Sequence, residues 1–417
     1  MRVLGLIVEY NPFHNGHLYH LEQAKSLCNA EFVVCVMSGN FIQRGEPAII
    51  NKWARTKMAL KCGIDLVIEL PLPYAMSSAE FFAYGAVKIL NDIGVVDCLC
   101  FGSENADIDK FSTIADILID EPDGYKRVLK QELSKGISFP SSRETALRSY
   151  LKERGIEIPE LEDIIGSSNN ILGIEYIKAL KRLKSKIEPF TIKRINNSYN
   201  SSEITGNISS ATSIRKLIQT EKKQLDMVLP YNCLAILEEE FNAGRGPIYP
   251  YLYEQLIISS IRRMTKEQLK LLPYVSEGME NRIKEAAGAC GTLDELIEKI
   301  STKRYTRTRV QRIITSLLTG FTSDEFNTFN RFGGPQYVRV LGLNNKGRQL
   351  LSDINKNTRL PIITKPAKFS KSCNPLLQRM LQIESFATDM YVLGYQNPIY
   401  RKAGQEFTQN VVIIHTS

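Results

Sequence analysis

Short apolar runs rich in β-branched residues alternate with helical patterns through the first hundred residues, and this alternation constrains the fold more than any other feature. Val3–Val8 predicts a buried strand, His17–Cys28 a helix and Phe32–Met37 a second strand. Asp65–Leu70 and Val95–Phe101 predict two more strands, each preceded by a helical segment. This order is typical of a parallel sheet wrapped by helices. The sequence therefore predicts an α/β head with a doubly wound, Rossmann-like sheet.

The rest of the chain is predominantly helical in pattern. Ile187–Ile195 predicts one further strand and Ser209–Gln219 a short helix. From about residue 221 onward the spacing of apolar residues is mostly helical. The exceptions are Met390–Leu393 and Val411–Ile414, two β-rich runs that we expect to pair near the C-terminus.

Chain length and charge both indicate two domains. A chain of 417 residues exceeds one ordinary core, and we place a boundary near residue 220. Residues 1–220 hold 26 Lys and Arg against 26 Asp and Glu, whereas residues 221–417 hold 27 against 19. The whole net charge of +8 thus lies in the mostly helical C-terminal domain, which predicts that a polyanionic partner docks there.

Composition indicates a cytoplasmic protein with no membrane segment. Hydrophobic residues at 43% and charged residues at 24% are typical of soluble globular proteins. The first apolar run is ended by Glu9 and Pro12, before it could form a signal sequence or span a bilayer. Eight scattered cysteines lack the density of a disulfide framework, which favours a reducing compartment. We predict no stable protein partner.

Three of the four histidines follow the first strand directly, at His14, His17 and His20. A junction from strand to helix at the carboxyl edge of a parallel sheet directs backbone N–H groups and the positive helix end toward a phosphate. Gly16, without a Cβ, allows close approach of that phosphate. His14 and His17 project to one side, where their ring N–H groups can stabilise charge on a phosphate under attack.

Two other interpretations of the histidines are less well supported. A metal site would need an arrangement such as His-Glu-x-x-His or a nearby Cys pair, and the sequence has neither, so we predict no metal site formed by the protein alone. A purely structural role is the second alternative. His20 taken alone is typical of a helix-surface or packing residue.

A second polar cluster supports the phosphate interpretation. Ser209 and Ser210 precede a predicted helix, and Arg215 follows about one turn later. Hydroxyl and backbone donors with one guanidinium suit a triphosphate tail. The alternative is an ordinary serine-capped helix with a surface arginine.

These two motifs, NPFHNGH at residues 11–17 and ISS at residues 208–210 with Arg215, resemble the nucleotidylyltransferase superfamily. More narrowly, several stretches resemble the bacterial tRNA(Met) cytidine acetate ligases. They are residues 5–17 (GLIVEYNPFHNGH), 38–48 (SGNFIQRGEPA), 65–71 (DLVIELP) and 169–173 (NNILG). The resemblance runs the length of the chain, but its specific motifs lie in the first 215 residues.

The resemblance implies an ATP-dependent ligase that works in two steps. ATP and acetate would form acetyl-adenylate and pyrophosphate. The acetyl group would then pass to the exocyclic amine of the wobble cytidine in elongator tRNA(Met), forming N4-acetylcytidine. Mg²⁺ is expected to bridge the phosphates, although the sequence offers no carboxylate pair dedicated to it.

The resemblance also implies which residues line the ATP site. His14, His17 and Arg215 would be the catalytic residues. The remaining ATP contacts would be Ile7, Val8, Glu9, Tyr10, Asn11, Pro12, Phe13, Gly16, His20, Gly102, Asn169 or Asn170, Arg194, Ile195, Ser209 and Ser210. The sequence does not choose between the two asparagines.

Candidate RNA contacts come from a run of cations and from one loop. Lys303, Arg304, Arg307, Arg309 and Arg312 lie in a stretch without acids, with Tyr305 among them as a stacking surface. The alternative is a solvated helix face. Arg44, in the loop of residues 38–48, is placed to reach a phosphate, the acetate or the RNA, or else to be a solvated loop residue.

Two rival functions remain open at this point. A small-molecule adenylyltransferase would use the same head but would not need the C-terminal half. An RNA-binding protein without turnover would be expected to have lost His14, Gly16, His17 or Arg215, and all four are present.

Overall fold

A mixed β-sheet forms the centre of the protein. The computed structural model describes residues 2–195, 208–220 and 224–415. The strands are β1 Val3–Val8, β2 Phe32–Ser38, β3 Phe41–Ile42, β4 Glu46–Pro47, β5 Leu66–Leu70, β6 Cys98–Ser103, β7 Glu188–Lys193, β8 Val338–Leu343, β9 Ile362–Ile363 and β10 Val412–Ile413. Apart from the β3–β4 hairpin they form one sheet in the order β10-β8-β5-β2-β1-β6-β7, with β9 beside β8.

The five strands that the first 195 residues contribute to this sheet are all parallel, in the order β5-β2-β1-β6-β7. This is the strand order of a doubly wound Rossmann fold, so the predicted fold class is confirmed. The fourth predicted strand was placed three residues too early, because β6 begins at Cys98 rather than Val95. Asp97 ends the preceding loop, and its carboxylate accepts a hydrogen bond from the Val3 backbone at 2.7 Å.

Helices cover both faces of this sheet. Those of the first 220 residues are α1 Asn15–Leu27, α2 Lys52–Lys61, α3 Leu72–Ala75, α4 Ala79–Asp92, α5 Ile108–Asp120, α6 Asp123–Ser134, α7 Phe139–Glu153, α8 Leu161–Gly166, α9 Ser168–Arg182 and α10 Ala211–Thr220. Alternate residues of β2 point to opposite faces, with Val34 and Val36 in one hydrophobic core and Val33 and Cys35 in the other.

The C-terminal part is mostly helical, as predicted. Its helices are α11 Leu225–Val228, α12 Tyr231–Asn242, α13 Glu254–Arg263, α14 Lys266–Lys270, α15 Met279–Ala289, α16 Leu293–Ile300, α17 Arg307–Thr319, α18 Ser323–Arg331, α19 Asn345–Asn357, α20 Pro375–Val392 and α21 Gln405–Thr408. This part also supplies β8, β9 and β10, and β8 pairs antiparallel with β5. The one sheet therefore contains strands from both sides of a boundary near residue 220.

The expected pairing of Met390–Leu393 with Val411–Ile414 is wrong. Met390 to Val392 form the end of helix α20, whereas Val412 and Ile413 pair with β8. The helix buries Met380, Ile383, Ala387 and Tyr391 at helical spacing. The apolar residues at its end belong to this buried face and do not form a strand.

One buried ionic cluster joins the two parts of the chain, and we call it the Lys52 cluster. The Nζ atom of Lys52 lies 2.6 Å from Glu69, 3.4 Å from Glu384 and 2.6 Å from Glu406. Arg339 lies 3.4 Å from the other oxygen of Glu406. Burial, followed by the charge of Glu384, raises the pKa of Glu69. Although burial opposes it, the carboxylates of Glu406 and Glu69 raise the pKa of Lys52.

We expect Lys52→Met to destabilise the protein by about 3–5 kcal/mol, because it leaves buried carboxylates without their cation. The measurement is urea denaturation. Lys57 on the same helix provides the matched control, since its ion pair with Glu239 is exposed. Lys57→Met should change the free energy of unfolding by less than about 1 kcal/mol. Equal, small effects of both substitutions would contradict the assigned role of the cluster.

Candidate functional site

The histidine motif forms the N-terminal cap of helix α1, at the carboxyl edge of the sheet. The Nδ1 atom of His14 accepts a hydrogen bond from the Gly16 backbone at 3.1 Å. The His14 backbone in turn donates to Nδ1 of His17 at 3.3 Å, which completes a capping box. The two rings stack with their centroids 3.7 Å apart. Because both Nδ1 atoms accept, we assign the ring proton of each neutral histidine to Nε2, which is then the free donor.

Both capping histidines are neutral at physiological pH. Burial, reinforced by Arg194 and Arg215, lowers the pKa of His14 to about 3. Burial, His14 and Arg194 lower the pKa of His17 well below its usual range. Two Nε2–H donors at a helix N-terminus can bind an anion and stabilise charge that develops on it.

Two aromatic residues near the same motif pack against the His17 ring. Tyr10 and Phe13 are buried, with ring centroids 5.0 Å and 5.6 Å from that of His17. Ile7, Val8 and Glu9 are half-buried at the end of β1, and Pro12 is buried. The predicted ATP segment therefore contains residues that support the histidines as well as residues that reach the surface.

Helix α10 brings the second motif to the first. The guanidinium of Arg215 donates to the Asn11 carbonyl at 3.0 Å. A Cβ on Gly16 would lie 3.4 Å from the Ile208 side chain, so the start of α10 borders the histidine cap. Ser210 accepts a hydrogen bond from the Ser213 backbone at 3.1 Å, as a helix-capping serine does. The structure thus unites two motifs that lie about 200 residues apart in sequence.

Three buried polar atoms around this junction have no hydrogen-bond partner within the described residues. They are Asn11 Nδ2, His20 Nε2 and Ser209 Oγ. A buried polar atom without a partner is unfavourable by about 1–3 kcal/mol. Donors and hydroxyls of this kind fit the oxygen and nitrogen atoms of a nucleoside triphosphate, so the residues present suit ATP.

His20 forms the second side of the site together with the end of β6. A Cβ on Gly102 would lie 3.3 Å from Arg194 and 3.7 Å from the His20 ring, so the three residues are neighbours. Burial and Arg194 lower the pKa of His20 to about 4. Ile195, next to Arg194, is exposed. His20 thus faces the candidate site, which its position on a helix alone did not indicate.

The two asparagines have different environments. Asn170 is fully buried, accepts from the Glu104 backbone at 2.9 Å and donates to Asn105 at 2.7 Å, so its amide holds the loop that follows β6. Asn169 is half-buried and donates to the Glu104 carboxylate at 2.7 Å. Asn169 is therefore the one with a surface left for a ligand.

Arg44 lies near the Glu9 carboxyl group, which follows the end of β1. The loop is held to β1, since the Gln43 backbone donates to the Glu9 carboxylate at 2.8 Å. Burial raises the pKa of Glu9, while Arg215, Arg55 and Arg44 act to lower it, which places Arg44 near this carboxylate. Burial likewise lowers the pKa of Arg215.

Arg55 is a site residue that the sequence did not indicate. It is fully buried on α2, and it donates to the carbonyls of Glu9 at 2.6 Å and of Gly39. It therefore ties together the carboxyl ends of β1 and β2, where the candidate site begins. The helix carries four cations, Lys52, Arg55, Lys57 and Lys61, and the sequence alone does not show which of them are buried.

Residues 1–406 match the family described as HIGH Nucleotidyl Transferase. The tRNA(Met) cytidine acetate ligase of Acetivibrio thermocellus is 59% identical over 99% of this chain and its own full length. That of Caldanaerobacter subterraneus subsp. tengcongensis is 48% identical over 95% of this chain and 96% of its own. Thermotoga maritima TmcAL, solved with alpha-thio ATP, aligns over both whole chains with a TM-score of 0.94 and 36% identity.

The chain belongs to the tRNA(Met) cytidine acetate ligase family. The family resemblance predicted from the histidine motif is thereby confirmed, as is its place among ATP-dependent ligases.

The cation run of this family member is largely paired within the protein. Arg304 forms an ion pair with Glu277 at 2.8 Å, and Arg307 one with Asp294 at 3.0 Å. Arg309 donates to the Tyr274 carbonyl at 2.8 Å, and Arg312 donates to the Gln43 carbonyl at 2.9 Å. Lys303 is exposed. The acids that the run itself lacks come from helix α16, with Asp294, and from the turn before α15, with Glu277, so the structure does not present a bare cationic face.

Among the described residues, no helix is long and apolar enough to cross a membrane. The same part of the chain contains no group of three or more His, Cys, Asp or Glu side chains placed to hold a metal ion.

The low pKa of His14 predicts an acid-sensitive stability. The unfolded chain binds a proton near pH 6.5, whereas the folded chain does so only near pH 3, so this contribution is complete above pH 6.5 and is lost as the pH falls. From pH 7.5 to 5.5, the free energy of unfolding of wild type should fall by about 1.4 kcal/mol more than that of His14→Asn. Asn is chosen because it also caps helices. Urea denaturation at the two pH values measures this.

The exposed fourth histidine provides the control for this comparison. His415→Asn should keep the wild-type dependence on pH. Parallel curves for wild type and His14→Asn would show that His14 is not held neutral by the fold.

Proposed function

We propose that this chain activates acetate with ATP to acetyl-adenylate and transfers the acetyl group to the wobble cytidine of elongator tRNA(Met), forming N4-acetylcytidine. The observation that carries the proposal is the pair of neutral Nε2–H donors at the start of α1, with Arg215 held near them by the Asn11 carbonyl. The names of relatives that match over the whole chain support the choice of acetate and tRNA(Met). A cytoplasmic location is part of the proposal, since the cysteines of the described chain are free thiols.

In the first step, a carboxylate oxygen of acetate attacks the α-phosphorus of ATP. A new P–O bond forms, and the bond to the leaving pyrophosphate breaks. We place the β- and γ-phosphates at the N-terminus of α1, so that His14 and His17 donate to them as their charge grows. Arg194 and Arg215 supply positive charge beside the histidines. No covalent bond to the enzyme is needed, because positioning and charge stabilisation suffice.

The remaining ATP contacts follow the two sides of the site. We assign the phosphate side to Gly16, Ser209 and Ser210, and the adenosine side to His20, Gly102, Asn169, Arg194 and Ile195. Asn170 is assigned to the support of Asn169 and its loop. Mg²⁺ would be held mainly by the phosphates, as is usual for this ion in nucleotide sites, and it would offset their charge.

In the second step, the exocyclic amine of cytidine attacks the acetyl carbon. The C–N bond forms, the C–O bond to AMP breaks, and the amine releases a proton. The wobble base must leave the stack of the anticodon loop to reach the acetyl group, as RNA bases do when enzymes act on them.

We expect His17→Gln to reduce acetate-dependent pyrophosphate release by about 10²–10³-fold, the usual effect of removing one such donor. Gln at this position of a capping box still accepts from the N-cap backbone, so the thermal midpoint should change little. The control is Glu22→Gln, an exposed change on the same helix. A His17→Gln enzyme with wild-type specific activity would contradict the role of the ring N–H.

Labelled acetyl donors test the reaction class separately. Acetate with ATP should label tRNA, and acetyl-coenzyme A should not. Should label reach tRNA only from acetyl-coenzyme A, the ligase assignment fails even though the fold stands.

We further propose that the exposed end of the cation run contacts the tRNA backbone. Lys303, Arg304 and Arg307 lie at this end, at the start of α17. The ion pairs of the two arginines are exposed, and such pairs contribute only about 0–1 kcal/mol, so phosphates can replace the acids. Arg309 and Arg312 are assigned instead to holding neighbouring loops.

Replacing Lys303, Arg304 and Arg307 with Ala should weaken tRNA binding and lower its salt slope by up to about three units, roughly one for each lost phosphate contact. Acetate-dependent pyrophosphate release should persist, since none of these three cations is assigned a contact with ATP or acetate. Filter binding at several salt concentrations measures the slope.

The matched control removes three exposed cations elsewhere, Lys126, Arg127 and Lys130 of α6. This control triple alters net charge equally. If both triples change tRNA binding alike, or neither does, the RNA surface lies elsewhere.

A further inference from the structure

Two tyrosines that the nucleotide site does not use stack at the surface of the C-terminal part. The rings of Tyr249 and Tyr251 have centroids 5.6 Å apart and planes inclined by only 12°. Tyr249 is half-buried against a hydrophobic core, whereas Tyr251 is 53% exposed. Tyr251 therefore has Tyr249 as a nearly parallel neighbour, and about half of Tyr251 is exposed to solvent.

The tyrosine pair borders the nucleotide site. The Tyr249 hydroxyl donates to the carbonyl of Arg215 at 3.4 Å, and the Arg215 guanidinium in turn contacts Asn11. Pro250, between the two tyrosines, lines a small cavity with Glu46 and Pro47 of the loop that carries Arg44. The pair therefore lies where helix α10 meets this loop, beside the place proposed for acetyl-adenylate.

The chemistry of an exposed, backed aromatic ring favours a nucleobase. Burial, together with Tyr251, raises the pKa of Tyr249 to about 12, so its phenol is uncharged and the pair presents a neutral stacking surface. RNA loops are recognised chiefly by unstacked bases that lie on aromatic side chains. Arg44 and Arg215 nearby supply the positive charge that an RNA backbone requires.

Resting on the proposed function, we propose that Tyr251 is a stacking platform for a base of the anticodon loop, which holds the loop so that the wobble cytidine reaches the acetyl group. Tyr249 supports the platform from behind. Tyr251 has no part in forming acetyl-adenylate, because that step involves no base other than adenine.

The primary test compares Tyr251→Ala with Tyr251→Trp. Tyr251→Ala should lower kcat/KM for tRNA acetylation by roughly 5- to 150-fold, the range that one base–aromatic stack accounts for, while Tyr251→Trp should retain it. Both variants should keep wild-type rates of acetate-dependent pyrophosphate exchange without RNA. Phe332→Ala, which removes another exposed aromatic ring, should change neither reaction.

An RNA series identifies the stacked base. The series consists of anticodon stem-loops, each with one abasic nucleotide at a different loop position. The rate of acetylation of each stem-loop is measured with wild type and with Tyr251→Ala. At the base that stacks on Tyr251, the two changes should not add, because each removes the same contact. Additive effects at every loop position would overturn the platform.

Three other outcomes overturn the proposal, and one concerns the function instead. Unchanged kcat/KM in Tyr251→Ala excludes the platform. Loss of pyrophosphate exchange shows that the ring only packs the nucleotide site. A changed oligomeric state shows that Tyr251, with exposed Leu252 and Leu256, forms a protein contact. If wild type itself acetylates no tRNA but exchanges pyrophosphate with acetate, the proposed function fails at its second step.

Discussion

A lysine without contact to solvent holds together the elements that surround the site. Lys52 binds carboxylates from β5, α20 and α21, and its backbone donates to Asn40 in the loop after β2 at 2.9 Å. Three carboxyl groups face Lys52 and Arg339, and burial raises the pKa of Glu69 among them. A buried charge needs such partners, and therefore none of these elements can shift alone without a large penalty. Gly39 is required beside the cluster, because a Cβ there would lie 2.7 Å from Glu69.

Arg55, about one turn after Lys52 on α2, connects this cluster to the candidate site. Arg55 ties the end of β1 to the loop after β2, and β1 leads directly into the histidine cap. In that cap the structural and the proposed catalytic roles use different atoms of the same rings. Nδ1 of each histidine stabilises the helix start, which leaves Nε2–H directed elsewhere. The cap thereby sets the tautomer that a phosphate needs, and burial prevents protonation that would remove the cap.

Local patterns predicted the parts of the fold and site that depend on local contacts. The first strand and the helices that begin near the histidine motif and near Ser210 are each determined within a few residues, although the capping role of His14 was not predicted. β8 and β10 could not be assigned to the sheet, because a strand near residue 340 gives no sign of pairing with β5. Asp294 and Glu277 partner the cation run from other parts of the chain, which a count of acids within the run misses. Arg55 and the tyrosine pair were missed for the same reason, since their meaning comes from residues distant in sequence.

Helix α17 shows why the two parts of the chain are not independent modules. Its start carries the cations assigned to RNA. Its middle holds the loop that carries Arg44, since Arg312 donates to the Gln43 carbonyl and Thr315 donates to the Gly45 carbonyl at 2.6 Å. Gly45 is needed there, with φ at +75° and no room for a Cβ against α17. If RNA binds one position of α17 more tightly than another, it favours the position of the loop, and of Arg44, that goes with it. In the proposed function, RNA recognition and acetate activation are therefore linked through this contact between helix and loop.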